Sequence, residues 1–66
     1  MNWQDRIMID SKIMGGKPVI KGTRVPVQVI TGSLAGGSSI TEVCTGYSIT
    51  EEDVRAALAY ATEVRS

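Results

Sequence analysis

Five cations, Arg6, Lys12, Lys17, Lys21 and Arg24, crowd the first 24 residues, three of them inside the string GGKPVIKGTRVPV from Gly15 to Val27. A glycine-rich segment carrying lysine has three uses. It can cradle a phosphate, serve as a basic arm for nucleic acid, or make two turns around short strands. A phosphate loop needs G-x-x-x-x-G-K followed by Ser or Thr, after a strand and before a long helix. Here Lys17 is followed by Pro18, which offers neither a hydroxyl nor a backbone donor. The string therefore reads as the turns of a β arm whose lysines are free to touch a polyanion.

Other chemistries find less support. The chain has no histidine, the commonest general base and metal ligand. Cys44, the single cysteine, has no base beside it and falls on the apolar face of a helix, where free cysteine packs as a small hydrophobe. Glu51, Glu52 and Asp53 form a carboxylate run, but sequential residues in a helix's first turn point in different directions. Capping and the helix dipole account for them better than a metal does. No catalytic residue, metal or cofactor is expected, and the chain reads as a non-enzyme.

With 66 residues, 42% of them hydrophobic and 21% charged, the sequence suits one small folded domain. No apolar run reaches a membrane span, and Met1–Asp10 lacks the cationic and apolar regions of a leader, so a cytoplasmic protein is expected. The net charge of zero hides an asymmetry. Residues 1–24 set five cations against Asp5 and Asp10, a balance of +3. Residues 25–66 set Arg55 and Arg65 against Glu42, Glu51, Glu52, Asp53 and Glu63, a balance of −3.

The elements that must position these charges can be read in order. Arg6 to Asp10 alternates, with Ile7 and Ile9 on one face, as a half-buried strand does. Gly15 and Gly16 permit a positive-φ turn, Val19 and Ile20 suit a second strand, and Lys21 and Gly22 turn the chain again. Pro26 suits the first turn of a helix, whose apolar positions Val27, Ile30 and Leu34 run to a stop at Gly36 and Gly37. Ser39 and Glu42 have the spacing of a capping box, opening a second helix with Ile40, Val43, Cys44 and Tyr47 on one face and an end near Gly46. Thr50 caps a third helix with Asp53 three residues on and Ile49 stapled to Val54. Its apolar stripe is Val54, Ala57, Leu58 and Ala61. The expected architecture is mainly α: a β arm over residues 1–25 and a three-helix bundle over 26–66, one domain in all.

Helix two, a short turn and helix three follow the plan of a helix-turn-helix, which puts the start of its second helix into the major groove. Here that start carries three carboxylates, which phosphates would repel. DNA contact is therefore expected from Lys12, Lys17, Lys21 and Arg24 of the arm, with Arg55 approaching from helix three. Trp3 is the one tryptophan, and with Tyr60 it is a candidate for a partner interface or for packing on the chain's own core.

The segments W-x-x-R-I-x-I-D, GGKPVIKGTRVPV, L-A-G-G-S-S-I-T-E-V and Y-S-I-T-E-E-D-V-R-A-A-L-A-Y-A carry a resemblance over Trp3 to about Ala61. The sequence resembles family four-three-three of the domains of unknown function, small proteins with a homeodomain-like helix-turn-helix fold. The family pattern falls on Gly16, Lys17, Pro18, Lys21, Gly22, Thr23, Arg24 and Pro26. The resemblance implies an antitoxin of a type II toxin–antitoxin pair, partnered by a PIN-like nuclease. Beside it, a homodimer paired through the arm or helix three and repressing its own operon through DNA binding is expected. Contact with that toxin is expected from folded surface or the Trp3 terminus. The alternative is a protein-interaction adaptor with no DNA role.

Overall fold

The computed structural model describes residues 2–65, apart from the side chain of Arg65. A 3-10 turn over Trp3–Asp5 leads into strand β1 (Ile7–Met8). A long loop returns the chain to β2 (Val19–Ile20), antiparallel to β1 with Ile7 opposite Ile20 and Met8 opposite Val19. The Lys21 N–H donates to the Arg6 carbonyl at 2.8 Å. The far edge of β2 is closed by the segment that follows it. Ile20 N–H donates to the Val25 carbonyl at 3.0 Å and Val27 N–H to the Pro18 carbonyl at 2.9 Å, around a bridge between Val19 and Pro26.

The turn between them explains the K-G-T of the signature string. Thr23 N–H donates to the Ile20 carbonyl at 3.0 Å, and Gly22 takes the φ of 77° that its turn position requires. The Thr23 hydroxyl locks the turn by donating to the Ile20 carbonyl at 2.8 Å and accepting from Val25 N–H at 3.0 Å.

Helix α1 spans Val27–Ala35, α2 Ile40–Tyr47 and α3 Glu51–Arg65. Pro26 sits just outside α1 as its N-cap, in extended conformation, instead of in the first turn. The capping box of α2 is complete: Glu42 N–H donates to Ser39 Oγ at 3.1 Å and Ser39 N–H to Glu42 Oε1 at 2.7 Å. These bonds hold the Glu42 carboxyl below its usual pKa. Thr50 and Asp53 exchange the same pair of bonds at the start of α3, both at 3.1 Å.

Besides the place of Pro26, four sequence expectations need correction. The first strand is two residues long, and Ile9 is 56% exposed instead of sharing the face of Ile7, because the chain leaves the sheet after Met8. Helix α2 continues through Gly46 to Tyr47, and it is Ser48, at φ 57°, that ends it in the left-handed conformation. Ile40 and Tyr47 lie at the margin of the buried face of α2, which centres on Val43. Leu58 is exposed, and the buried side of α3 runs through Val54, Ala56, Ala57 and Tyr60. The two small alanines admit close packing of α1 and α2, and Tyr60 supplies bulk against the arm.

The core unites arm and bundle. Ile7 and Ile20 from the hairpin meet Val27 and Ile30 of α1, Val43 of α2, and Ile49 and Val54 at the start of α3. Trp3, Val25, Leu34 and Cys44 pack around it half-buried. The Trp3 ring stands edge-on to Tyr60, with centroids 4.9 Å apart and planes at 86°.

Candidate nucleic-acid interface

The hairpin displays its cations at both ends. Lys12 and Lys17 lie in the loop between β1 and β2, and Lys21 and Arg24 in the tight turn after β2; all four are exposed. None lies within ion-pair distance of a carboxylate among the described residues. The backbone of the three lysines is hydrogen-bonded even though their heads are in water. Lys12 N–H donates to Asp10 Oδ1 at 2.8 Å, Lys17 N–H to the Met14 carbonyl at 3.3 Å, and Lys21 N–H closes the ladder.

Two other cations, Arg6 and Arg55, are paired within the molecule. Arg6 reaches across to α3, its guanidinium donating to Asp53 Oδ1 at 3.0 Å and Glu52 Oε2 at 3.4 Å. Arg55 pairs with Glu51 one turn back on the same helix. Every carboxylate in the first turn of α3 therefore has a basic partner. Arg6, counted by sequence with the basic front, is a clamp between the arm and the acidic back. Arg55, a candidate for DNA contact, stands on the outer face of α3 engaged with Glu51. Burial of the Asp53 carboxyl pushes its pKa up, but the Thr50 N–H, the Arg6 guanidinium and the Thr50 hydroxyl outweigh that and hold it below the ordinary aspartate value.

The two aromatic candidates are brought together by the fold. Tyr60 is buried, and Trp3 covers it with its indole N–H enclosed and without an acceptor among the described residues. The residue that sequence reasoning missed is Arg6 in its structural role. Its partners lie 46 and 47 residues away, and the only signal was the opposite charge balance of the two halves.

A second surface is distinguished by what it lacks. From Val25 to Thr41 the sequence has no charged residue, and the outward side of α1 presents Gln28, Val29, Gly32 and Ala35.

Comparison with known proteins bears on this arrangement. An uncharacterized protein of Archaeoglobus fulgidus is 70% identical over 23 residues, which are 35% of this chain and 64% of that one. Uncharacterized protein y4eO of Sinorhizobium fredii is 42% identical over 50 residues, 74% of this chain and 23% of that one. The crystal structure of a DUF433 member protein from Anabaena variabilis superposes with a TM-score of 0.84 at 31% identity, covering 91% of this chain and 60% of the other. The chain thus spans less than two thirds of each of these relatives. The family model described as a protein of unknown function, DUF433, matches residues 7–61, taking in the hairpin with its four free cations, α1, α2 and α3 as far as Ala61, with the Arg6 partners on it. By that match, the chain belongs to the DUF433 family.

Proposed function

We propose that the chain is the antitoxin of a type II toxin–antitoxin pair, a non-enzymatic cytoplasmic homodimer that holds a PIN-like nuclease and binds operator DNA through its hairpin. One observation carries the DNA part of this reading: the cations are sorted. Arg6 and Arg55 neutralise the start of α3, while Lys12, Lys17, Lys21 and Arg24 remain free on turns whose backbone is fixed. The carboxylates of α3 that would oppose a phosphate backbone are thereby partly compensated, which favours a helix-turn-helix reading of α2, the Ser48–Thr50 connection and α3. In this arrangement the hairpin cations supply phosphate contacts, which position the protein on a duplex without reading its sequence. A homodimer would set two hairpins on half-sites about 34 Å apart or a multiple of that.

The test has two parts. Tagged full chain recovered from its host should carry a PIN-like nuclease in stoichiometric amount, and should retain duplex DNA at low salt. Replacing Lys17, Lys21 and Arg24 by alanine should flatten the salt dependence of DNA binding by about one unit of slope per lost phosphate contact. An unchanged slope removes the hairpin from DNA binding, and recovery of neither nuclease nor DNA overturns the reading. The adaptor alternative is favoured by the charge-free outward side of α1. It predicts stoichiometric protein partners and no duplex binding at any salt concentration.

A further inference from the structure

Helix α1 carries a glycine that its own fold does not require. Gly32 lies inside α1 and is not at positive φ, and a Cβ placed on it would meet nothing within 4 Å. Glycine there weakens the helix relative to alanine. Gly36, at the end of the same helix, is different, since a Cβ there would stand 3.3 Å from the Gly32 carbonyl oxygen. Val29, Gly32, Ser33 and Gly36 follow the spacing i, i+3, i+4 and i+7, so they share one side of α1. Tyr47 of α2 joins that side, its hydroxyl lying 3.4 Å from Ser33 Oγ. Ile40, seven residues before Tyr47 and on the same side of α2, extends the surface. Three apolar side chains stand out on it: Tyr47, Ile40 and Val29, at 39%, 38% and 36% exposed.

The surface is also uncharged. From Val25 to Thr50 the one charged residue is Glu42. It stands two positions from Ile40, hence on another side of α2, and its carboxylate accepts from Ser39 N–H at 2.7 Å. Every cation of the chain lies elsewhere, so DNA and anionic lipid have nothing to pair with here. The other outward surfaces suit a second copy poorly. Pairing the hairpins would set Lys12, Lys17, Lys21 and Arg24 against their equals. The outward side of α3 carries Glu51, Glu52 and Glu63, with Arg55 already engaged by Glu51. Only the α1–α2 surface opposes no like charges when it faces itself. It also holds both halves of a fit, a projecting aromatic ring and bare helix backbone at Gly32, as a two-fold interface requires.

We propose that two copies of the chain pair through this α1–α2 surface, Tyr47 of each lying against Gly32 of the other, with Val29 and Ile40 packed around them. The proposal rests on the homodimer part of the reading above and moves the interface from the arm or α3 to this surface. A missing Cβ at Gly32 lets the ring of the second copy come down on the helix backbone. Tyrosine suits the centre of such a contact, because it buries a large, rigid ring at small conformational cost. The hairpin cations take no part in the pairing and stay available to a duplex.

The experiment is sedimentation equilibrium of the full chain from about 1 μM to about 1 mM, with thermal unfolding at the same concentrations. The unmodified chain should dimerise, and its thermal midpoint should rise with concentration. Gly32→Gln and Tyr47→Ala should each raise the dimer dissociation constant about tenfold or more. Gly32→Gln should also raise the midpoint of the monomer, since glutamine favours the helix and has open space there, which separates lost pairing from lost folding. Leu58→Gln on α3 and Ile9→Gln in the arm should dimerise within about twofold of the unmodified chain. A dimer that Gly32→Gln leaves intact, or that Leu58→Gln or Ile9→Gln breaks, overturns the proposal and keeps the homodimer. A chain monomeric throughout removes both. So does a monomer that captures a different protein through this surface and loses it in Gly32→Gln, which is the adaptor outcome. The expected dimer, from a chain that binds neither nuclease nor duplex, upholds the surface and removes the antitoxin reading.

Discussion

Replacing Arg6 with methionine keeps most of the stem and removes the guanidinium that joins the arm to α3. The two bonds it loses differ in weight. The Asp53 side chain is only 13% exposed and its contact is 3.0 Å, so this is a part-buried, charge-assisted bond of the kind that contributes about 1.5–3 kcal/mol. Arg6 itself is 37% exposed, which brings the figure to the lower end through solvent screening. Glu52, 59% exposed at 3.4 Å, adds about 0.3 kcal/mol. The expected loss is about 1.5–2 kcal/mol, which at 4–8 °C per kcal/mol lowers the thermal midpoint by roughly 10 °C. A double-mutant cycle with Asp53→Asn should return a coupling of about 1 kcal/mol, and one with Glu52→Gln about a third of that. The measurement is thermal and urea unfolding of the four proteins in each cycle. A coupling to Asp53 below about 0.3 kcal/mol, or one no larger than that to Glu52, would refute the assignment of Arg6 as the clamp.

Three further outcomes follow from the same contacts. The Asp53 pKa is held down in the folded state, so its contribution is complete above the unfolded value of about 3.9 and is lost as pH falls through that value towards the folded one. Urea midpoints should accordingly drop below about pH 4, and Asp53→Asn should be less stable at neutral pH with a shallower acid limb. Ser39→Ala removes one half of the α2 capping box and should cost about 1 kcal/mol, read by denaturant unfolding. Ile30 is fully buried between hairpin and bundle, and Ile30→Ala should cost about 2–5 kcal/mol, enough to leave much of so small a domain unfolded at 37 °C by circular dichroism.

The parts of this fold legible in the sequence are those set by neighbours in the chain. Ser39 with Glu42 and Thr50 with Asp53 mark the starts of α2 and α3 because a cap needs only three residues to declare itself. The spacing of Val27, Ile30 and Leu34 likewise fixes the inner side of α1. Where a residue type permits two outcomes, the reading slipped. Gly46 looked like a stop, yet it stays helical because Ser48 takes the left-handed position and Ile49 can then turn into the core. Leu58 looked inward because it is apolar, but the helix turns its alanines to the crowded side and leaves Leu58 outside. At the candidate interface, the four free cations were visible as types. Which cations were free was not, since that depends on Arg6 meeting partners 46 and 47 residues away. That Met14 joins Gly15 and Gly16 at positive φ was hidden for a related reason: the adjacent glycines seemed sufficient to make the turn.

The clamp between Arg6 and Asp53 also orders events in time. The arm is synthesised first, yet its anchor emerges 47 residues later, and Trp3 waits longer still for the face of Tyr60. Helices α2 and α3, each opened by its own local cap, can form as soon as they appear, whereas loop-closure entropy delays contacts of such separation. A nascent chain therefore carries an undocked basic hairpin until α3 is made. During that interval the cations of the arm, Arg6 included, are all free, and the folded molecule is the state in which one of them has been paired with carboxylates.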